Sequence, residues 1–287
     1  MRKSTIYTMI LWMCSATVAT AEDVVTLNAD STNEQIMMHM AQHEQNQTQT
    51  NALAEHFPTM TRERAYAIQR LRLADRTRTS EQVGWKLGWT RKENPETELD
   101  PIVGHYTADR VYEEGKPLST RYFTEGTARA EPEIVFYLKK DLPGPNVTRE
   151  ELIEAIDAVG IGMEFVAWRM TSPFTREHAI IDNGIAAGAV LGADRYPLRD
   201  IDFTAVTGRV VVNNNEESEG AATSIMGQDP VTGLLWAANE LPKWGMHLRA
   251  GDFIFSGTVC PPLPVKAGDS ATVSFTNLGS VSVDFVE

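Results

Sequence analysis

Two glutamates in an otherwise apolar strand constrain this chain more than any other feature of its sequence. The segment ARAEPEIVFYL, residues 128–138, has the β-branched and aromatic residues of a strand, with Glu131 and Glu133 spaced two apart. Residues two apart on a strand share a face, so these carboxylates stand side by side with Cα atoms roughly 7 Å apart. The opposite face carries the apolar residues Ile134, Phe136 and Leu138. The fold must therefore accommodate two like charges on one face.

A third carboxylate, Glu164, lies in the apolar strand VGIGMEFVAWRM. Burying an isolated carboxylate is costly, so it is normally neutralised, paired or bound to a metal. Taken singly, each glutamate has an ordinary explanation, either an exposed face with ion pairs to Arg129 or Lys139, or a buried pair between Glu164 and Arg169. Three carboxylates without a nearby His or Cys also suit a hard divalent cation such as Mg²⁺. Such a site leaves positions open for a chelating substrate, and a 2-oxo acid is such a chelator.

The charge of the chain argues against a nucleic-acid-binding protein, and its cysteine content argues against a fold stabilised by disulfides. The chain has 26 Lys and Arg against 39 Asp and Glu, so it lacks the basic surface that nucleic-acid binding requires. Removal of residues 1–21 leaves 24 basic and 39 acidic residues, a formal charge of −15. The remaining chain has Cys260 as its one cysteine, which excludes an intrachain disulfide. Its 266 residues must therefore be stabilised by a hydrophobic core.

The first 21 residues, MRKSTIYTMILWMCSATVATA, predict a secretory signal peptide. They have a basic start, an apolar middle and an Ala19-Thr20-Ala21 ending. The alternative is an N-terminal membrane anchor, but the apolar run is short and is interrupted by Ser15 and Thr17. We therefore expect cleavage after Ala21, no stable membrane anchor, and an exported protein that is periplasmic or secreted.

Two regions differ in their residue patterns. Residues 22–80 predict a polar helical N-terminal segment, and residues 81–287 predict one β-rich domain of short strands separated by Gly, Pro and Asp turns. Two helices interrupt the strands. TREELIEAIDAV begins with a capping box of Thr148 and Glu151, and DPVTGLLWAANELPKWG begins with Asp229 as cap before a proline. The predicted fold class is α+β.

Six segments support a family resemblance, and they occur in the order VGWKLGWT, AEPEIVFYLKKDL, GMEFV, IIDNGIAAGAVLG, LRAGDFIFSGT and PVKAGDSATVSFTNLGSVSVDF. This series resembles the 2-keto-4-pentenoate hydratase group, with 4-oxalocrotonate decarboxylase, of the fumarylacetoacetate hydrolase superfamily. The resemblance runs from about residue 62 to the C terminus. It implies a fumarylacetoacetate hydrolase-like mixed β-roll or sandwich with flanking helices, and a homo-oligomer.

The resemblance also implies roles for individual residues. It makes Glu131, Glu133 and Glu164 the ligands of Mg²⁺ or Mn²⁺. Lys86 matches a lysine near the oxo-acid head of the substrate, and Asp109 matches an acidic residue of proton transfer; from the sequence alone they could equally be a surface lysine and a turn residue. The residues that it places against the substrate are Asp182, Asn183, Ser256, Gly257 and Thr258.

Two departures from the family pattern affect the substrate and leave the three glutamates intact. The family commonly has small hydroxyl residues after its Asp-Asn pair, whereas this chain has Gly184-Ile185-Ala186. The family's Gly-His-Pro is here GQDP, residues 227–230, which lacks the histidine.

The resemblance predicts a metal-dependent hydratase that adds water to a 2-hydroxy-2,4-dienoate to give a 4-hydroxy-2-oxo acid. A 4-oxalocrotonate-type decarboxylase and an acylpyruvate hydrolase are alternatives, because the metal that stabilises an enolate serves these reactions as well. A non-catalytic secreted protein that binds 2-oxo acids is a further alternative.

Overall fold

Two mixed β-sheets and six α-helices make up residues 24–92, 98–121, 123–124 and 126–287, which the structure, a computed structural model, describes. The predicted signal peptide lies outside the residues that the structure describes. The helices of the described residues are α1 (Asn33–Gln45), α2 (Ala52–His56), α3 (Arg62–Arg76), α4 (Arg149–Ala155), α5 (Arg176–Ile181) and α6 (Pro230–Glu240). The strands are β1 (Gln82–Gly88), β2 (Ile102–Thr107), β3 (Val111–Tyr112), β4 (Leu118–Ser119), β5 (Arg129–Leu138), β6 (Ile156–Val166), β7 (Ala186–Leu191), β8 (Thr207–Val212), β9 (Glu216–Ala221), β10 (Phe253–Phe255), β11 (Leu263–Pro264), β12 (Ser270–Phe275) and β13 (Gly279–Val286).

The larger sheet has the strand order β2-β1-β10-β5-β6-β7-β3, and β11 pairs with the start of β5. Its pairs are antiparallel except for β1 with β10 and β3 with β7. The smaller sheet has the order β4-β13-β12-β8-β9. Mixed sheets with helices at their flanks confirm the predicted α+β class.

The core lies between the two sheets and beneath the helices. Phe165 of β6 meets Phe285 of β13 edge to face, with ring centroids 5.3 Å apart. Ile36 of α1 and Ile68 of α3 are fully buried in this same apolar cluster. The N-terminal helices therefore share one core with the strands that follow them.

Helix starts are well encoded in this chain, whereas one helix end is not. Thr148 and Glu151 form the predicted capping box of α4, and the side chain of Asp229 caps α6 with a proline in its first turn. The predicted helix from Thr148 is shorter than expected, because α4 ends at Ala155 and Ile156 begins β6. Beyond that point the chain pairs with β5 along nearly its whole length, and this pairing outweighs the local helical pattern.

The N-terminal segment contains three helices, α1 to α3, before β1 begins at Gln82. Its first part is divided between α1 and α2. Among the residues that the structure describes, no helix combines the length and the hydropathy needed to cross a bilayer.

The larger sheet curls so that its two halves face each other. The hydroxyl of Tyr106, on β2 near one edge, donates to Glu164 Oε1 on β6 at 2.6 Å and lies 3.2 Å from the Gly188 carbonyl oxygen on β7. Strands that are distant in the sheet order are thus brought within side-chain reach. The concave face that results carries the candidate site.

Candidate metal centre and active site

Strand register places the three glutamates and Lys86 on the same concave face. Glu131 is directly opposite Glu164 across the β5–β6 pair. Lys86 of β1 pairs with Phe255 of β10, and Phe255 pairs with Val135 of β5, which shares its face with Glu131 and Glu133. Glu131 and Glu133 therefore share a face as predicted, and a third carboxylate and the ammonium group of Lys86 lie on the same face.

The three carboxylates converge at the centre of this face. One oxygen each from Glu131, Glu133 and Glu164 lies within 4.8 Å of the others. Glu133 and Glu164 are fully buried, and Glu131 is partly buried. The three glutamates lie on the neighbouring strands β5 and β6 in the middle of a sheet. The hydrogen bonds between these strands, rather than a loop, therefore fix the positions of the carboxylates.

The hydrogen bonds around the carboxylates leave room for a cation. Glu133 Oε2 accepts the backbone N–H of Gly257 at 2.7 Å, while its Oε1 has no hydrogen-bond donor among the described residues although it is buried. Glu164 Oε2 lies 3.3 Å from Lys86 Nζ. A buried carboxylate oxygen without a donor is costly unless a cation binds it, and an all-oxygen set suits Mg²⁺ or Mn²⁺. The residues therefore fit a hard divalent cation.

The electrostatics of the metal-free cluster lead to the same conclusion. Burial, followed by the charge of Glu164, raises the pKa of Glu131 to about 8, with partial compensation by Lys86. Burial and the charges of Glu164 and Glu131 raise the pKa of Glu133 well above its usual range. Three carboxylates cannot all ionise here cheaply without additional positive charge. A divalent cation would supply that charge.

Lys86 is buried in the same pocket and stays charged. Burial alone would lower its pKa, but the charges of Glu164, Glu131 and Glu133 raise the pKa of Lys86 above its ordinary value. Its Nζ also donates to the carbonyl oxygen of Gly184 at 3.2 Å. Lys86 therefore presents a fixed ammonium group rather than a free base.

A tight turn at Asn183-Gly184-Ile185 holds that carbonyl in place. All three residues have positive φ, 55°, 64° and 60°, which is a strained conformation for the β-branched Ile185. The turn is held at both ends by Arg169. Its guanidinium bonds Asp182 Oδ1 at 2.5 Å and the Asp182 carbonyl at 3.0 Å, and it reaches the Ala186 carbonyl at 3.3 Å.

A second turn supports the carboxylates from the side of β10. Gly257 has φ +96°, and a Cβ at this position would lie 1.9 Å from Thr90 Oγ1. Thr90 in turn donates to the Ser256 carbonyl at 2.9 Å. Glycine is therefore needed at position 257, both for the backbone conformation and for the approach of its N–H to Glu133.

A pocket of about 190 Å³ opens onto Lys86 and Glu131. Its described lining residues are Lys86, Leu87, Gly88, Trp89, Thr90, Arg91, Glu131, Val166, Ile185, Gly257, Thr258 and Pro262. This volume is below the range typical of sites for drug-sized ligands and suits a small organic acid. A larger groove of about 1030 Å³, beside α1 and α3, has none of the three clustered glutamates among its described lining residues, so the chemistry of the lining identifies the smaller pocket as the candidate active site.

Comparison with known proteins assigns the family. The model of the fumarylacetoacetate (FAA) hydrolase C-terminal family matches residues 73–286. The chain belongs to the fumarylacetoacetate hydrolase family. This confirms the resemblance inferred from the six segments.

Curated and solved relatives extend over most of the chain. It is 32% identical over 241 residues to 2-hydroxyhexa-2,4-dienoate hydratase of Comamonas testosteroni, covering 82% of this chain and 90% of that one. It is 30% identical over 268 residues to 2-oxo-hept-4-ene-1,7-dioate hydratase of Escherichia coli, covering 89% and 98%. The structure superposes with a TM-score of 0.80 on 4-oxalocrotonate decarboxylase from Pseudomonas putida G7 complexed with magnesium and adipate, at 27% identity, covering 89% and 99%. The fumarylacetoacetate hydrolase-like fold is thereby confirmed.

Asp109 does not lie in the pocket of this family member, contrary to the expectation from resemblance. It follows Thr107, which pairs with Gln82 at the start of β1, about 13 Å of strand away from Lys86. Its side chain is 45% exposed and lies 3.4 Å from Arg110 Nε. Asp109 therefore lies in the turn after β2 and outside the described lining of the pocket.

Asp182 and Asn183 also have a different position from the one expected. Asp182 bonds Arg169, and Asn183 exchanges two 2.9 Å hydrogen bonds with the backbone of His105 on β2. Both side chains are buried and absent from the described lining of the pocket. They position the turn that holds Lys86.

The other residues expected to contact the substrate are Ser256, Gly257 and Thr258, and the structure places only two of them at the pocket. Gly257 and Thr258 line the pocket. The Ser256 side chain is buried and lies 3.1 Å from the Gly257 carbonyl oxygen, so Ser256 contributes through its turn.

The residues of the site that were not expected from the sequence include a tyrosine on β2 and polar and apolar residues of the pocket wall. Tyr106 bonds Glu164, and Arg91 and Ile185 line the pocket. Ile185 was noted only as a replacement for a hydroxyl residue. Strand alternation puts Tyr106 on the face of Lys86 only when the β1–β2 register is known, so the sequence contained no signal for it.

Proposed function

We propose that this chain is a divalent-metal-dependent hydratase that adds water to a 2-hydroxy-2,4-dienoate and produces a 4-hydroxy-2-oxo acid. The observation that carries the proposal is the cluster of Glu131, Glu133, Glu164 and Lys86, of which Glu131 and Lys86 line one small pocket. The names of its relatives, hydratases over most of the chain, support the same class of reaction.

The glutamates would hold the cation, and Glu164 is kept in place by Tyr106 and Lys86. When bound, a divalent cation polarises the keto oxygen of a chelated 2-oxo acid and stabilises its enolate. A crystal structure of the decarboxylase relative contains magnesium, which supports the use of a divalent metal. We propose Mg²⁺ or Mn²⁺ for this chain.

Lys86 supplies fixed positive charge beside the oxo-acid head. Its raised pKa keeps it protonated at neutral pH, so it acts as a hydrogen-bond donor and electrostatic stabiliser of developing negative charge. Trp89, Val166 and Ile185 form an apolar part of the wall that would hold the diene and limit entry of water. Asp109 lies outside the described lining of this pocket, and its role in proton transfer stays a prediction from the resemblance.

The proposal is tested by following the ultraviolet absorbance of 2-hydroxypenta-2,4-dienoate with purified protein, Mg²⁺ and EDTA. We expect a loss of absorbance that requires metal, with 4-hydroxy-2-oxopentanoate as product. Glu133→Gln should abolish turnover, whereas Glu216→Gln, an exposed change on β9, should not. Turnover that survives EDTA and Glu133→Gln would refute the metal-dependent reaction.

Decarboxylation is the second candidate, because the decarboxylase relative superposes over 99% of its length. The same enolate would accept the electrons left by departing CO₂. Release of CO₂ from a 2-oxo-enedioate, without hydration of the dienoate, would identify the decarboxylase. Metal-dependent binding of pyruvate without any turnover would identify a binding protein.

A further inference from the structure

Positive backbone φ angles single out two residues of the pocket. Nine described residues other than glycine have a positive φ, and seven of these are asparagine or glutamine. Asparagine tolerates the left-handed conformation because its short polar side chain bonds locally. The other two residues are Trp89, with φ 55°, and Ile185, with φ 60°. Both line the pocket that opens onto Lys86 and Glu131.

The contacts around Trp89 hold both its backbone and its ring. A bulky side chain at positive φ costs free energy and persists only where the surrounding structure enforces it. Trp89 directly follows β1, and the buried Thr90 after it donates to the Ser256 carbonyl oxygen at 2.9 Å. The guanidinium carbon of Arg176, on α5, lies 4.2 Å from the centroid of the Trp89 ring. The indole is therefore fixed at the pocket.

Ile185 is held at the same pocket from a different turn. Its N–H donates to the Asp182 carbonyl oxygen at 2.9 Å, and its own carbonyl oxygen accepts the N–H of Ala167 at 2.9 Å. The two residues before it, Asn183 and Gly184, have the same sign of φ and are types that adopt it at low cost. Ile185 is not such a type. The chain thus keeps a large apolar side chain where its backbone favours a small or polar one.

An uncharged part of the ligand gives these two side chains a purpose. In a pocket of about 190 Å³, a 2-oxo acid with its head at Lys86 and Glu131 brings the rest of its chain against the remaining lining. Burial of one methylene group strengthens binding by about fourfold. Asparagine at positions 89 and 185 would relieve the backbone strain but would lose this apolar contact.

We propose that Trp89 and Ile185 are specificity-determining residues that bind the uncharged hydrocarbon part of the substrate, and that their strained backbone is retained for this contact. The inference rests on the proposed function, because that function places the oxo-acid head at the metal and Lys86. It goes beyond it by assigning the discrimination between short and longer hydrocarbon chains to two residues that are not metal ligands.

Two 2-oxo acids that differ by two methylene groups isolate this contact. Titration calorimetry of the Mg²⁺-loaded wild type should show that 2-oxopentanoate binds about 10-fold more tightly than pyruvate. The double variant Trp89→Asn/Ile185→Asn should reduce this preference to about twofold or less. Its affinity for pyruvate should equal that of the wild type, because the contacts to the head remain. Ile153→Asn, an exposed change on α4, is the control and should retain the preference.

Equal loss of affinity for both ligands in the double variant would place the two residues at the oxo-acid head and overturn the proposal. So would an unchanged preference in the double variant, or a wild type that binds the two ligands equally or binds neither.

Thermal unfolding of the metal-free protein separates a role in binding from a role in packing. Ile185→Val keeps a β-branched apolar side chain at positive φ, whereas Ile185→Asn relieves the strain. We expect the Asn variant to have the higher Tm, by about 2 to 4 °C. Trp89→Asn should likewise exceed Trp89→Phe. The reverse order at both positions would show that the two side chains are retained for packing, and the proposal would fail.

A turnover measurement distinguishes this inference from the proposed reaction. The double variant should raise KM for 2-hydroxypenta-2,4-dienoate, because it removes contacts to the bound diene. If the dienoate is not hydrated but the preference for 2-oxopentanoate depends on the two residues, the hydratase proposal fails and the specificity pair remains. If the dienoate is hydrated and the double variant keeps the wild-type preference and KM, the hydratase remains and the pair is refuted.

Discussion

At the scale of single residues, Glu133 illustrates that a side chain suited to binding a cation can destabilise the metal-free fold. It is fully buried, it lies beside two other carboxylates, and one of its oxygens has no donor among the described residues. Gly257 donates to the other oxygen, which shows that the backbone is arranged to keep the side chain in place. The residue is thus unfavourable for the metal-free fold and favourable for a bound cation.

Glu133→Gln should therefore have opposite effects on stability and on metal binding. In EDTA at neutral pH we expect the free energy of unfolding to rise by about 1 to 4 kcal/mol, because a carboxyl whose pKa is raised by burial must take up a proton or stay charged on folding, a cost that the amide does not have. Mn²⁺ affinity, measured by electron paramagnetic resonance, should fall by at least about 100-fold. Glu216→Gln serves as the exposed control. A less stable metal-free protein with unchanged Mn²⁺ affinity would contradict this account.

The residue scale is also where sequence reasoning was strongest for the metal site and weakest for its surroundings. The two-residue spacing of Glu131 and Glu133 predicts a shared face, which the β5 register bears out. For Asp182 the resemblance predicts a contact with the substrate, and it does not predict the ion pair with Arg169 that the structure shows. The partner in that ion pair, Arg169, lies 13 residues before Asp182, and no motif in the sequence indicates that the two side chains pair.

At the scale of elements, the turn after α5 connects the buried ion pair of Arg169 and Asp182 to Lys86. One guanidinium spans the turn from Asp182 to Ala186, and the turn presents the Gly184 carbonyl to Lys86. Lysine at position 169 could keep the charge but could not bridge both ends. The arrangement makes Arg169 a positioning residue.

Arg169→Lys should reduce kcat by about 100-fold through misplacement of Lys86, as expected for a displacement of about 1 Å in an active site. Mn²⁺ affinity should be unchanged, because the three glutamates lie on β5 and β6. Guanidinium added to the folded Arg169→Ala protein should restore part of the lost rate. Arg199→Lys, on an exposed turn, is the control. A parallel loss of metal affinity would show that the ion pair supports the whole site rather than Lys86.

A second element-scale feature is the buried carboxylate that joins α1 to α3. Glu44 of α1 bonds Arg72 and Arg76 of α3 at 2.7 Å and Arg110 at 2.9 Å. Burial alone would raise the pKa of Glu44, but the charges of Arg76, Arg110, Arg169 and Arg72 lower it well below its ordinary value. The ionised form therefore stabilises the packing of the two helices.

Glu44→Gln should lower the free energy of unfolding at pH 7 by about 3 kcal/mol or more, because buried arginines lose their partner. Because the pKa of Glu44 is lower in the folded state than in the unfolded state, its contribution is complete above the ordinary pKa of 4.5 and is lost as the pH falls toward the folded pKa. The difference between variant and wild type should therefore shrink in acid. Urea unfolding at neutral and acidic pH measures this, with the exposed Glu63→Gln as control. A difference that is constant with pH would contradict the linkage.

At the scale of the whole molecule, the sequence predicts the types of secondary-structure element and their order along the chain better than it predicts how the larger sheet curls. Turn residues separated the predicted strands, and capping residues located the starts of α4 and α6. The curling of the larger sheet, which brings Tyr106 of β2 to Glu164 of β6, depends on pairing between segments about 60 residues apart. Local patterns contain no information on such pairing. The same limit explains why Arg91 was not recognised as a residue of the pocket.

Export is the remaining whole-molecule hypothesis, and it rests on residues 1–21 alone. A basic start, a short apolar run and an Ala-Thr-Ala ending are read by the secretion machinery independently of the fold. Expression of the full chain in a bacterial host should yield a periplasmic or secreted protein that begins at Glu22, as measured by intact mass and N-terminal sequencing. Replacing Ala19 and Ala21 by bulky residues should leave the precursor uncleaved, since small residues are needed at these positions. A full-length protein in the cytoplasmic fraction, with Met1 or Arg2 at its start, would refute export, while the metal site and its proposed chemistry would be unaffected.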